Sequence, residues 1–344
     1  MRVGRIWAQI RAIAKRSLAL LFVVACSTSV GAELRPGTSA EFKAELPDEL
    51  RTLAGRGQLS PVTHALVTIA VPANFEAGRE WPVLVVNAYF AGAHLNRGLL
   101  HAYSETALAA GWIAIAADPA PEVPREQDEV PLRYALDKAA LGALEAVWPR
   151  ARKAPLAFGG FSAGAMYSGW LAAAFAKEGR NIIGMYLAGI PQNTVLDAAR
   201  ELNLLNEPYR RVPIFLQSGE TDEIATMADH RRLQDELRRA GFQNVRIEYF
   251  PGPHTVNPRP LRAALDVCGD RDAVRAIAVR FTRVTTLRAG LPVCPTRIRA
   301  PRGPNGLRSP LLRTCSGEIR AASRSGSAPC APRRKAAGTR RASC

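Results

Sequence analysis

Leu156-Ala157-Phe158-Gly159-Gly160-Phe161-Ser162-Ala163-Gly164 is the stretch on which the fold turns. Residues 156–158 have the apolar character of a buried strand, and the alanine-rich run 163–177 has that of a helix. Between them Gly160-Phe161-Ser162-Ala163-Gly164 has the form G-x-S-x-G. The bare string arises often enough by chance to decide little. Its setting decides more. A serine on a sharp turn from strand to helix stands at the carboxyl end of the strand. Glycines flank it because a β-carbon there would strike the adjoining strand and helix. The new helix also aims backbone N–H groups at the spot, which favours a developing oxyanion. The competing reading is an ordinary glycine-rich turn with a surface serine.

Outward from this turn, strand-like and helix-like segments alternate. Apolar or β-branched runs at 64–71, 81–86, 112–117, 182–187, 212–216 and 245–250 read as strands. Helical spacing covers 101–111, 131–149, 224–240 and 258–284. Continuous apolar strands alternating with helices predict an α/β fold, with a mostly parallel central sheet and helices on both faces.

A serine hydroxyl is a poor nucleophile without an adjacent base. A nucleophile on such an elbow takes its acid and its histidine from later in the chain, in that order. Ser218-Gly219-Glu220-Thr221-Asp222-Glu223 follows the strand at 212–216, and Pro251-Gly252-Pro253-His254 follows the strand at 245–250. Both belong to the carboxyl edge of the sheet, where open α/β sheets gather their catalytic groups. His254 is the expected base and Asp222 the expected acid, with Glu220 as the alternative and Glu223 facing solvent at a helix start. His230, among Asp229, Arg231 and Arg232, is expected on a helix surface. His64, His94 and His101 precede the serine and do not fit the order, although His94 or His101 could line a pocket. The backbone N–H of Ala163 is the first candidate oxyanion donor. The loop Asn87-Ala88-Tyr89-Phe90-Ala91-Gly92 would supply the second, from Ala88 or Tyr89. Tyr89 and Phe90 either wall an acyl pocket or pack inward.

The formal charge of +16 does not describe the body of the chain. The first sixteen residues carry +5 and residues 288–344 carry +12, so residues 17–287 sum to −1. A nucleic-acid partner is therefore not expected of the fold. Residues 1–32 read as an export signal. A basic stretch ending at Arg16 precedes a short apolar run at 18–25, and Val30-Gly31-Ala32 offers cleavage before Glu33. Val23-Val24-Ala25-Cys26 gives the alternative, a lipid anchor on Cys26. Either way the expected location is periplasmic or secreted, and the mature chain carries no integral membrane segment. Residues 33–62 read as a polar N-terminal lead-in and 63–287 as the folded domain. The run 288–344, rich in Pro, Arg and Ser, reads as a disordered tail. The six cysteines form no C-x-x-C pair, and no metal site is expected from them.

Together the elbow at 160–164, the Gly219-Glu220-Thr221-Asp222 loop and the Pro253-His254 turn resemble the α/β-hydrolase superfamily. The match is to its esterase and polyhydroxyalkanoate-depolymerase-like branch, over roughly residues 64–284. The resemblance implies hydrolysis of carboxylic esters, small or oligomeric, through an acyl-enzyme on Ser162, without metal or cofactor. One departure stands out: many relatives carry His-Gly after the third strand, where this chain has Asn87-Ala88. A serine peptidase of the prolyl-oligopeptidase type would use the same three residues, and a non-catalytic binding protein would need none of them.

Overall fold

A computed structural model describes residues 34–55, 61–88, 95–124 and 128–269. All of these belong to the first of the chain's two compact units, Met1–Leu291. The leader with both of its processing sites, Tyr89, Phe90, His94, the 270–284 part of the expected helix and the tail lie outside the described residues.

Eight strands form one sheet. They are β1 (Ser39–Glu45), β2 (His64–Ala70), β3 (Val83–Asn87), β4 (Ile113–Pro119), β5 (Leu156–Phe161), β6 (Ile182–Ala188), β7 (Ile214–Gly219) and β8 (Val245–Phe250). Their spatial order is β1-β2-β4-β3-β5-β6-β7-β8. β1 and β2 pair antiparallel, as do β2 and β4, and every later pairing is parallel. The helices are α1 (Asp48–Ala54), α2 (Leu95–Ala109), α3 (Val130–Val147), α4 (Ala163–Lys177), α5 (Thr194–Glu201), α6 (Glu207–Arg210), α7 (Met227–Arg239) and α8 (Leu261–Cys268).

The apolar runs are continuous because both faces of the sheet are covered. Val83 and Val85 of β3 pack with Leu132, Leu136, Leu171, Leu233 and their neighbours from α3, α4 and α7. Leu84 and Val86 point the other way, into a cluster with Leu100 and Tyr103 of α2 and Leu261 and Leu265 of α8. The strand period of two thus sends alternate residues of one segment into two separate cores.

Several boundaries differ from the sequence reading. β1 and α1 lie within the segment read as a polar lead-in. β1 is an edge strand whose Glu41, Lys43 and Glu45 face solvent, so its charge alternation hid it. α5 and α6 occupy the connection from β6 to β7, where no helix was expected. Parallel neighbours cannot be joined by a tight hairpin, so that connection had to cross over. The helix read at 224–240 begins only at Met227, because Thr226 and Asp229 close a reciprocal capping box there. Helix α2 begins at Leu95 rather than 101. Among the described residues, no helix is long and apolar enough to cross a membrane.

Candidate active site

β5 lies near the middle of the sheet and runs directly into Ser162. Ser162 has φ 57° and ψ −124°, a conformation that costs a non-glycine residue of order ~1–3 kcal/mol. The surroundings impose it. The Ser162 N–H donates to the Ala188 carbonyl at 2.8 Å, which carries the β5–β6 ladder one residue past the strand. The Ser162 carbonyl then accepts from Ala165 and Met166 and opens α4. A β-carbon on Gly164 would lie 2.0 Å from the Asn87 carbonyl oxygen and 2.2 Å from that of Ala88. Only glycine lets the start of α4 sit against the end of β3. The Ser162 side chain is half-buried, and it makes no capping bond to its own helix.

The acid follows β7. Asp222 is buried, with Oδ1 accepting from the N–H groups of Ile224 at 2.9 Å and Ala225 at 2.7 Å. These two bonds tie up one oxygen and leave Oδ2 for His254 Nδ1, 2.8 Å away. Glu220 and Glu223, the flanking carboxylates, are exposed. Asp222 is therefore the carboxylate joined to the imidazole, and Glu223 sits in the turn before α7 rather than in the helix. Since the carboxylate accepts, Nδ1 is the donor, and Nε2 keeps its lone pair.

The imidazole follows β8 and leans back over β5 and β6. Its ring lies 4.7 Å from that of Phe161, the residue before Ser162. Gly189 has φ 59°, and a β-carbon there would stand 2.8 Å from His254 Cε1. His254 is thus cradled by the direct neighbours of Ser162 and of the Ala188 carbonyl that holds it. Among the described residues no hydrogen bond joins Ser162 to His254. The bonded pair is acid and imidazole.

The candidate oxyanion donors fare differently. Ala163 is the first residue of α4, so its N–H has no acceptor within the helix. The Ala88 N–H is not free: it donates to Asn96 Oδ1 at 2.7 Å. Of the two donors expected from that loop, Ala88 is excluded by this bond, and Tyr89 lies outside the described residues. The sequence reading missed Asn96 and also Arg133, which donates to the Ala88 carbonyl at 2.9 Å. Arg133 was detectable as a cation set among apolar residues of α3, where Leu132, Tyr134, Ala135 and Leu136 are all buried.

The other histidines are dispersed. His101 is exposed on α2, and His64 begins β2 with Nδ1 3.0 Å from the Thr63 hydroxyl. His230 corrects the expectation of a surface residue: it is 0% exposed, packed inward from α7. Its Nδ1 donates to the Thr226 carbonyl at 3.1 Å. Burial pulls its pKa below the ordinary value, against the opposing pull of the Thr226 carbonyl, Asp222, Asp229 and the Gln217 backbone. On acidification the unfolded chain therefore takes up this proton before the folded one does. Stability associated with His230 is present above the unfolded pKa of about 6.5 and drains away as the pH falls below it. Melting temperatures measured across that window should fall less steeply in His230→Leu than in the wild type. Parallel curves would show that His230 does not titrate differently on folding.

Among the described residues, no group of three or more His, Cys, Asp or Glu side chains is placed to hold a metal ion. What the arrangement offers is a half-buried hydroxyl at a helix N-terminus, an imidazole beside it, and a carboxylate that orients the imidazole. The hydroxyl follows the fifth strand, the acid the seventh and the imidazole the eighth, in a sheet whose one antiparallel strand is β2.

The fold is that of the α/β-hydrolases. No protein-family profile and no curated protein sequence matches the chain. Solved structures of the α/β-hydrolase fold do. A cold-adapted esterase from an Arctic intertidal metagenomic library is 17% identical, over 66% of this chain and 90% of its own, at a TM-score of 0.43. A lidless α/β serine hydrolase from Xanthomonas campestris is 17% identical, over 69% and 96%, at 0.47. An esterase from Pyrococcus furiosus is 13% identical, over 70% and 97%, at 0.46.

Proposed function

We propose that the protein is a serine hydrolase that cleaves carboxylic esters through an acyl-enzyme on Ser162. The observation that carries this is the Asp222–His254 hydrogen bond, with its imidazole packed on Phe161, which precedes a serine at positive φ, and on Gly189, which follows the carbonyl that holds that serine. His254 Nε2 takes the Ser162 proton as Oγ attacks the ester carbonyl. Asp222 steadies the imidazolium that results. The Ala163 N–H stabilises the tetrahedral oxyanion. Collapse expels the alcohol, which leaves with the proton from His254, and a water activated by the same imidazole then releases the acid. An unliganded triad is often open between serine and histidine and closes only around substrate, which fits the missing Ser162–His254 bond. An ester asks least of such a site, since its alkoxide leaves more readily than an amide nitrogen.

The test is covalent. A fluorophosphonate should modify one peptide of the native full-length chain, the one bearing Ser162. The same preparation should hydrolyse p-nitrophenyl esters and leave peptide anilides untouched. Modification at another residue, or none, would remove the assignment, and faster anilide than ester cleavage would make the protein a peptidase.

A further inference from the structure

Gln217 stands on β7, opposite Ala188 of β6, and is 1% exposed. It shares its face of the sheet with Phe215, which packs in the cluster of Tyr103, Tyr186, Leu261 and Leu265. A buried amide is costly in such a place unless both of its ends are bonded. Both are. Oε1 accepts from the Tyr186 hydroxyl at 2.7 Å, and Nε2 donates to the Asn257 carbonyl at 2.7 Å. The Tyr186 hydroxyl itself lies 3.2 Å from that carbonyl. Burial raises the Tyr186 pKa well above the ordinary value, so the phenol stays a donor. Amide and hydroxyl thus converge on one main-chain oxygen.

Asn257 follows His254 in the connection 251–260, which holds no helix or strand. The imidazole is therefore placed by whatever fastens this connection on either side of it. Before His254 the fastening is main-chain, from the Thr221 N–H to the Gly252 carbonyl at 3.0 Å. Beyond His254 it is the Asn257 carbonyl in the grip of Gln217 and Tyr186. The Gln217 main chain is tied to the serine as well. Its carbonyl accepts the Gly189 N–H at 2.8 Å, and that N–H shares a peptide group with the Ala188 carbonyl, which accepts the Ser162 N–H at 2.8 Å. One residue is thus bonded through its main chain to the peptide that holds the serine, and through its side chain to the loop that carries the histidine. The reaction as proposed gives Gln217 and Tyr186 no part.

We propose that Gln217 is a positioning residue, whose side-chain amide holds the Asn257 carbonyl against β7 and so sets where His254 Nε2 stands relative to the Ser162 hydroxyl. The proposal rests on the reading of Ser162 as the acyl-forming nucleophile and His254 as its base. Asp222 orients the imidazole through Nδ1, but one hydrogen bond leaves the loop free to slide along the rim. Gln217 supplies the second constraint. Proton transfer between serine and imidazole needs hydrogen-bond reach, and a misplacement of about 1 Å can cost about 100-fold in rate.

Three variants of the full-length protein test it, each assayed with p-nitrophenyl butyrate. Active sites are counted by the fluorophosphonate end point, and turnover is expressed per labelled site. Gln217→Leu removes the amide and should lower kcat per site by about tenfold or more, with the rate of labelling reduced by a similar factor. KM should stay within about threefold, because the loss falls on proton transfer and not on substrate binding. Tyr186→Phe leaves the Nε2 contact to Asn257 in place, and its kcat should fall by about threefold, the smaller step of the two. Phe215→Leu is the control: it thins the same core on the same strand, so it should lower the melting temperature and leave kcat per site at the wild-type value. Gln217→Leu with wild-type kcat per site overturns the proposal, whatever its melting temperature. A raised KM at unchanged kcat does the same, as does an equal fall of kcat in Phe215→Leu, which would make the effect one of packing. If Gln217→Leu yields no labelled sites, Tyr186→Phe decides, and wild-type turnover there overturns the proposal. Wild-type protein that takes no label overturns the Ser162 reading and this inference with it, whereas labelled variants with wild-type turnover overturn the role of Gln217 alone.

Discussion

Ser162→Ala is expected to abolish ester hydrolysis while leaving the fold intact. Loss of the nucleophile in a triad lowers kcat by about 10⁶-fold, and the fluorophosphonate adduct should disappear with it. The structural cost is small because the hydroxyl makes no hydrogen bond to cap its helix, and the turn is held by backbone bonds to Ala188, Ala165 and Met166. The melting temperature should accordingly change by no more than about 2 °C. Alanine meets the same resistance as serine at φ 57°, whereas glycine does not, so Ser162→Gly should melt above Ser162→Ala. An activity within tenfold of wild type in Ser162→Ala would place the nucleophile elsewhere.

The second large effect concerns Asp222. In Asp222→Asn the side-chain oxygen still accepts from Ile224 and Ala225, so the turn before α7 survives. The amide nitrogen now faces His254 Nδ1, where the carboxylate oxygen stood at 2.8 Å. Two donors cannot share that contact. The imidazole moves its proton to Nε2, and the nitrogen that must receive the Ser162 proton is already occupied. A fall in kcat of about 10⁴-fold is expected, with an unchanged circular dichroism spectrum and melting curve. A loss smaller than tenfold would show that the imidazole is oriented by something other than this carboxylate.

Much of this site could be read from the chain because three separate strand-to-loop junctions each carried a distinctive residue. The helix expected at 163–177 and the strand at 245–250 have those bounds in the structure, since glycines and charge patterns mark both ends of each. Asp222 was the expected acid and Glu220 the alternative; what sets them apart in the structure is burial, which the sequence of one short loop does not show. The Ala88 N–H looked available because nothing local shows that Asn96, eight positions on, would fold back and accept it. His230 was misread through its charged neighbours. On α7 Arg231 and Arg232 are exposed and Asp229 closes the capping box, while the imidazole shares the inward face with Leu233 and Leu237. β1 escaped notice because an edge strand buries too little to show an apolar run.

The loops that carry the acid and the imidazole are laced to each other by main-chain bonds, Glu220 N–H to the Phe250 carbonyl at 2.9 Å and Thr221 N–H to that of Gly252 at 3.0 Å. Neither loop can swing away alone without stranding amides of the other. Fluctuations at this rim should therefore be shared, so that amide hydrogens at 220 and 221 exchange with solvent in step rather than one by one. The molecule then alternates between a rim with acid and imidazole both assembled and one with both lost, and a half-built pair is the state it seldom visits.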